Sequence, residues 1–141
     1  MKNSVLVGFK RSPFTIANKG LLASVRPEDI LSQVINDLVE TSKINKNDIE
    51  DIIAGCAYPE GAQGYNIAKI VSFMTNMPEH VGGMTINRWC GSSMQAIHTA
   101  AGAISMNAGK VFVCCGIESM TSVPINGLNY SPHPELLKNQ P

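Results

Sequence analysis

The sequence predicts an α/β domain with a mainly parallel central sheet and helices on both of its faces. Apolar, β-branched runs alternate with amphipathic or alanine-rich ones in the order β-α-β-α-β-α-β, the pattern of strands joined by helical crossovers. The run Val111-Phe112-Val113-Cys114-Cys115 is apolar without a break, as a central strand buried on both sides requires. At 141 residues the chain is long enough for one domain with its own core.

The elements follow in order. Ser4 to Phe9 is apolar and β-branched enough for a first strand, and Pro13 in Arg11-Ser12-Pro13-Phe14 ends it because proline has no N–H for a ladder. A long loop to about Arg26 comes next. Pro27-Glu28-Asp29 then opens a helix, with proline in the first turn and acids at the positive end of the dipole. Ile30, Leu31, Val34, Ile35, Leu38 and Val39 give it one apolar face, and Lys43 and Asn45 suit its end.

Asp51 to Ala57 reads as a second strand, stopped by Tyr58-Pro59-Glu60-Gly61, and Asn66 to Thr75 as a helix that ends before Pro78. Met84 to Arg88 is a short strand, and Gly91 to Asn107 a helix with Gly109 as its stop. Lys110 to Cys115 is the last strand. From Pro124 the prolines and asparagines without periodicity indicate loop. Residues 1–124 are thus expected to form a partial α/β domain and 125–141 the start of an irregular region. The third helix carries Ala96, Ala100, Ala101, Gly102, Ala103 and Ala108, so it is either closely packed by a second helix or partner subunit, or simply an alanine-rich core helix.

Eleven basic residues balance eleven acidic ones, so no electrostatic footprint for nucleic acid or an anionic membrane exists. No apolar run approaches the roughly 18 residues of a spanning helix, and the stretch after Met1 is too short for a signal peptide. A cytoplasmic location is the expectation. Cys56, Cys90, Cys114 and Cys115 have neither zinc-site spacing nor the density of a disulfide scaffold, so they are read as thiols, with no metal. Cys114 and Cys115 should point to opposite faces of their strand.

Cys90 stands apart. In Asn87-Arg88-Trp89-Cys90-Gly91-Ser92-Ser93-Met94 it sits where a strand meets a helix. A thiol there lies beside unpaired N–H groups and the positive end of the macrodipole, both of which favour thiolate. Gly91, Ser92 and Ser93 leave room for a carbonyl to approach the sulfur, with backbone N–H groups suited to an oxyanion. Acyl transfer through a thioester fits such a turn; an inert buried cysteine with two first-turn serines fits the position as well.

A nucleophilic thiol also needs a base. His98 is eight residues along the same helix, about 12 Å up its axis at ~1.5 Å per residue. His80 precedes its strand, and at ~3.3 Å per residue should lie about 17 Å from the strand's far end. His133, in Ser131-Pro132-His133-Pro134, lies in the irregular tail with nothing to orient its ring.

Asn87-Arg88-Trp89-Cys90-Gly91-Ser92-Ser93-Met94-Gln95-Ala96-Ile97, with Gly116-Ile117-Glu118-Ser119-Met120-Thr121, resembles the thiolases, acyltransferases that cleave 3-ketoacyl-CoA or run the reverse condensation. Arg11-Ser12-Pro13-Phe14 and Gln63-Gly64-Tyr65-Asn66-Ile67-Ala68-Lys69 resemble two further segments of that family, so four motifs in order reach from the first strand to about Pro124. The resemblance implies a truncated N-terminal thiolase-like segment. It implies Cys90 as the acyl-accepting nucleophile whose own N–H contributes to an oxyanion hole, Asn87, Gly91, Ser92 and Ser93 as the active-site turn, and Met120 near the substrate. Acyl-CoA and CoA would be substrates, with no separate cofactor, and the protein a homo-oligomer. The family's activating histidine and second cysteine come from later in the chain, so these 141 residues alone are expected to be inactive. Two alternatives are a decarboxylating condensing enzyme, which shares a cysteine at a helix start, and a non-catalytic dimerisation module. Ser93 stands where many thiolases have glycine, Lys69 where arginine is usual, and Cys114-Cys115-Gly116 where Ala-Gly-Gly is common.

Overall fold

The computed structural model describes residues 3–138. Helix α1 spans Pro27–Ser42, strand β1 Ile49–Gly55, helix α2 Ile67–Met74, strand β2 Gly82–Ile86, helix α3 Ser92–Ser105, strand β3 Val111–Gly116 and helix α4 Pro134–Lys138. Short 3-10 turns occupy Lys46–Asp48 and Gly61–Gln63. The three strands form one parallel sheet in the order β2-β1-β3. Ile53 at its centre stands beside Met84 on one side and Cys114 on the other.

Alternation along β1 divides the core. Ile52 and Ala54 face α1 and α2, where they meet Leu31, Ile35, Ile67, Ala68 and Val71, with Val113 from β3. Ile53 faces α3, where Ala96 and Ala100 close over it together with Met84, Ile86, Phe112 and Cys114. Each fully buried Ile, Leu or Val contributes about 1.5–3 kcal/mol, so the α1/α2 face supplies most of the hydrophobic stabilisation. The expected α/β class, parallel sheet and helices on both faces are all present. Cys115 belongs to the first cluster and Cys114 to the second, opposite faces as a strand demands.

Several expectations are corrected. Ser4 to Phe9 is not a strand: β1 and β3 pair directly with each other and leave no place between them. Val5, Leu6 and Val7 stay exposed as a result, while Lys10 reaches Asp37 of α1 at 2.8 Å. The central strand is β1, not the run Lys110 to Cys115, because β3 lies at the sheet's edge and is only half-buried for much of its length. Strands β1 and β2 begin two residues before their expected starts. Ile49 is buried and registers with Val111, and Gly82 pairs with Asp51 despite the poor strand propensity of glycine.

Helix ends follow backbone chemistry. Proline opens α1, and Lys43 in a left-handed conformation, φ 57°, closes it. Asn66 caps α2 by accepting the Lys69 N–H. Helix α3 stops at Ser105, with left-handed Asn107, φ 61°, ahead of the expected Gly109. No described residue packs against Gly102, so α3's tight packing is confined to its Ala96 and Ala100 side. The tail, expected to be loop, contains α4, opened by Pro134 and Glu135. Among the described residues no helix is long and apolar enough to cross a membrane.

Candidate active site

Glycines set the position of α3. A Cβ on Gly55, the last residue of β1, would meet the backbone of Ser92 and Ser93 well inside contact distance. A Cβ on Gly116, the last residue of β3, would collide with the Ser93 hydroxyl. The first turn of α3 therefore lies directly across the carboxyl ends of β1 and β3. In open parallel sheets this is where ligands bind. Ser93, where many members of the resembled family carry glycine, is accommodated because Gly116 opposite it has no side chain.

The turn between β2 and α3 is held from within by Ser92, which is almost fully buried. Its Oγ accepts the Arg88 N–H at 2.8 Å and donates to the Trp89 carbonyl at 2.6 Å. Asn87 holds it from outside. The Asn87 Nδ2 donates to the Ala57 carbonyl at 2.8 Å, and its Oδ1 accepts the Trp89 N–H at 2.8 Å. Between these ties Trp89 takes φ 51°, a left-handed conformation that costs a non-glycine residue on the order of 1–3 kcal/mol and persists only where its surroundings over-determine it.

Cys90 follows immediately, and it is exposed. Gly91, with φ −90° and ψ 5°, is the N-cap of α3 and supplies no side-chain cap. The Gly91 and Ser92 N–H groups turn back to the Arg88 and Trp89 carbonyls, and the Gln95 N–H to Gly91. Those of Cys90, Ser93 and Met94 find no acceptor of normal geometry among the described residues. An exposed cysteine and unpaired backbone donors thus adjoin at the start of one helix.

The other three thiols differ. Burial and then the Glu118 charge push the Cys56 thiol up to about 11. Burial, reinforced by Cys114, pushes Cys115 up to about 12, and burial raises Cys114 as well. Their sulfurs donate to, or accept from, neighbouring groups: Cys115 to the Ile53 carbonyl, Cys114 to the Ala96 carbonyl, Cys56 from the Gln63 amide.

The structure thus brings Asn87, Cys90, Gly91, Ser92 and Ser93 into one turn. Met120 is in the turn after β3, half-exposed, at the same end of the sheet. No histidine hydrogen-bonds to Cys90 among the described residues. His80 lies at the opposite end, before β2; His98 is exposed on α3; His133 accepts the Glu135 N–H at 3.3 Å. A cavity of about 400 Å³, lined by Glu50, Asn107, Ala108, Gly109 and Lys110, lies at the amino end of the sheet, away from this chemistry.

Gln63 and Glu118 lie within two of the sequence motifs, and their structural roles are not visible from the sequence. Gln63 is completely buried; its Nε2 donates to the Tyr58 carbonyl at 2.9 Å and to Glu118 Oε1 at 2.7 Å, and its Oε1 accepts the Ser119 N–H. Glu118 Oε2 accepts the Ala57 N–H at 2.7 Å. The only signal available was a glutamine in a loop, and a sequence pattern does not distinguish a buried glutamine from a solvated one.

Comparison with known proteins agrees with the motifs. The thiolase N-terminal domain family matches residues 4–137. The chain is similar to 3-ketoacyl-CoA thiolases of Shewanella frigidimarina, 39% identical over 134 residues, 94% of this chain and 35% of the relative. That of Shewanella oneidensis is 38% identical over 141 residues, 99% and 36% of the two lengths. That of Aeromonas salmonicida is 37% identical over 134 residues, 94% and 35%. The chain spans about a third of the length of these curated relatives.

Proposed function

Since this chain belongs to the thiolase family, matching its N-terminal domain from residue 4 to residue 137, we propose that it supplies the nucleophilic half of a thiolase active site, with Cys90 as the acyl carrier. The Cys90 thiolate attacks the 3-keto carbon of a 3-ketoacyl-CoA. The bond between C2 and C3 then breaks, its electron pair leaves on C2, and that carbon takes up a proton as acetyl-CoA departs. The acyl group, now a Cys90 thioester, is attacked by the thiolate of a second CoA, which releases the shortened acyl-CoA and returns the Cys90 thiolate.

One observation carries this reading: the exposed Cys90 thiol shares the mouth of α3 with the unpaired N–H groups of Cys90, Ser93 and Met94. Preorganised donors of that kind stabilise the oxyanion formed when a carbonyl is attacked, and removing one such donor typically costs about 10²–10³ in rate. The thioester exchange calls for no metal and no cofactor beyond CoA itself. Met120, at the same end of the sheet, would line the substrate's path. The outer face of α3, with Met94, Ile97 and Met106 exposed, suits the expected association between copies in a cytoplasmic enzyme.

The test is acylation of the chain itself. Incubated with acetyl-CoA, the protein should gain one acetyl group on the Cys90 peptide, removed by hydroxylamine and absent from Cys90→Ser. Acetylation confined to lysines, or persisting in Cys90→Ser, would overturn the assignment. A malonyl thioester that loads and decarboxylates in preference would favour a condensing enzyme instead.

A further inference from the structure

We propose that Glu118, backed by the buried Gln63, is a positioning residue for Cys90; the proposal rests on the reading of Cys90 as the acyl-accepting thiol. A continuous run of hydrogen bonds joins the two. Glu118 Oε2 accepts the Ala57 N–H at 2.7 Å, the Ala57 carbonyl accepts Asn87 Nδ2 at 2.8 Å, and Asn87 Oδ1 accepts the Trp89 N–H at 2.8 Å. Trp89 is the left-handed residue, φ 51°, whose next neighbour is Cys90. Ala57 is thus gripped on both sides of its Cα, at its N–H by a carboxylate from beyond β3 and at its carbonyl by an amide from beyond β2.

The chemistry of the grip calls for a carboxylate. Glu118 faces donors: the Ala57 N–H, the Gln63 Nε2 at 2.7 Å and, at 4.0 Å, the Cys56 thiol. An ionised carboxylate only accepts, so each donor has a partner. A glutamine at 118 would turn an NH2 group toward a donor whichever way its amide lay. Gln63 in turn cannot shift, because it is completely buried and bonds the Tyr58 carbonyl and the Ser119 N–H as well as Glu118. It ties the loops after β1 and β3 together, and Asn87 transmits their position to the turn after β2.

Positioning and plain charge have opposite signs here. Removal of a negative charge from the region would by itself speed attack by a sulfur that reacts as thiolate. Loss of the grip on Ala57 frees Asn87 and Trp89, moves the sulfur out of register with the helix mouth and slows attack.

The experiment measures the rate at which Cys90 of the full chain is alkylated by iodoacetamide, resolved from the other cysteines by peptide mapping, across the neutral pH range. Glu118→Gln should slow Cys90 roughly tenfold at every pH, a size that a displacement of about an ångström readily produces. Glu118→Asp, which keeps the charge on a shorter arm, should recover part of the rate. Asn87→Ala should slow Cys90 similarly, and the double variant should be no slower than either single one, the non-additivity of two groups acting in series. Glu60→Gln is the control: it removes another carboxylate that binds a loop N–H, that of Leu128 at 2.6 Å, outside this run, and should leave Cys90 at the wild-type rate.

A Glu118→Gln rate equal to or above wild type overturns the proposal, as do additive effects of Glu118→Gln and Asn87→Ala. Should Glu118→Gln not fold, Glu118→Asp decides, and a wild-type rate there overturns the proposal too. A wild-type Cys90 no faster than a cysteine tripeptide removes the reading on which the proposal rests, and the proposal with it. A fast wild type beside an equally fast Glu118→Gln removes the proposal alone.

Discussion

Ser92 and Gly116 show how few atoms hold the candidate site in shape. The Ser92 hydroxyl satisfies the Arg88 N–H and the Trp89 carbonyl together, and Gly116 leaves the space that the Ser93 hydroxyl fills. Gly116→Ala should therefore destabilise the protein by about 1–3 kcal/mol, the usual cost of forcing an extra methyl into a packed contact. Adding Ser93→Gly should restore most of the loss, because the colliding atoms belong to Ser93. Urea unfolding of both variants checks this, and a double variant no more stable than Gly116→Ala would show that the collision lies elsewhere. At this level the sequence was informative about chemistry and silent about support. Cys90 and its small neighbours were legible because a thiol at a helix start has a physical consequence of its own. Glu118 and Gln63 were not, since their partners are loop amides brought together only by the packing of β1 against β3.

Among the elements, β1 bears the greatest constraint, being paired on both sides and covered on both faces. Glu50 within it is exposed, and Asp51 is its partly buried polar residue. Its Oδ1 has no hydrogen-bond partner among the described residues, and a Cβ on Gly82 of β2 would press against it. Burial raises the Asp51 pKa above 3.8; the Ile52 backbone hydrogen bond and the Lys69 charge oppose the shift without cancelling it. The folded chain thus holds this proton more tightly than the unfolded one. Its contribution to stability falls as pH rises from 3.8 through the raised value, so the ionised side chain is a net cost at neutral pH. Asp51→Asn should raise the urea midpoint at neutral pH and flatten this part of the pH dependence; a lower midpoint would mean that the carboxylate is stabilising where it stands. Helices were easier to read than strands. The apolar face of α1 and its opening proline state their own boundaries, whereas a strand's identity depends on its neighbour. Ser4 to Phe9 has the composition of a strand and no strand partner among the described residues, and Gly82 and Gly83 have the wrong composition and an excellent partner in β1.

Taken whole, the molecule is one parallel sheet with the candidate active-site turn across its carboxyl end and much apolar surface in the open, including Leu6, Phe9, Leu21 and Met106. It spans about a third of its curated relatives, and none of its three histidines hydrogen-bonds to Cys90 among the described residues. The purified chain is therefore expected to show no CoA-dependent cleavage of a 3-ketoacyl-CoA, followed through loss of the substrate's enolate absorbance; turnover that depends on Cys90 would mean that these residues do contain a base for it. The order of elements announced the α/β class, because alternating periodicities leave few ways to cover a sheet. Which strand is central was not legible, since an unbroken apolar run also suits an edge strand, as β3 is, with α3 on one face and Val113 joining the α1/α2 cluster on the other.

The most direct measurement is a competition among the four cysteines. With iodoacetamide below stoichiometry near neutral pH, peptide mapping should find the label almost wholly on Cys90, at a rate at least about tenfold above that of a model thiol, as activated thiols at helix starts show. Cys56, Cys114 and Cys115 should react only after the fold is lost. Label spread over the other three, or a Cys90 no faster than the model thiol, would contradict the assignment of Cys90 as an acyl carrier.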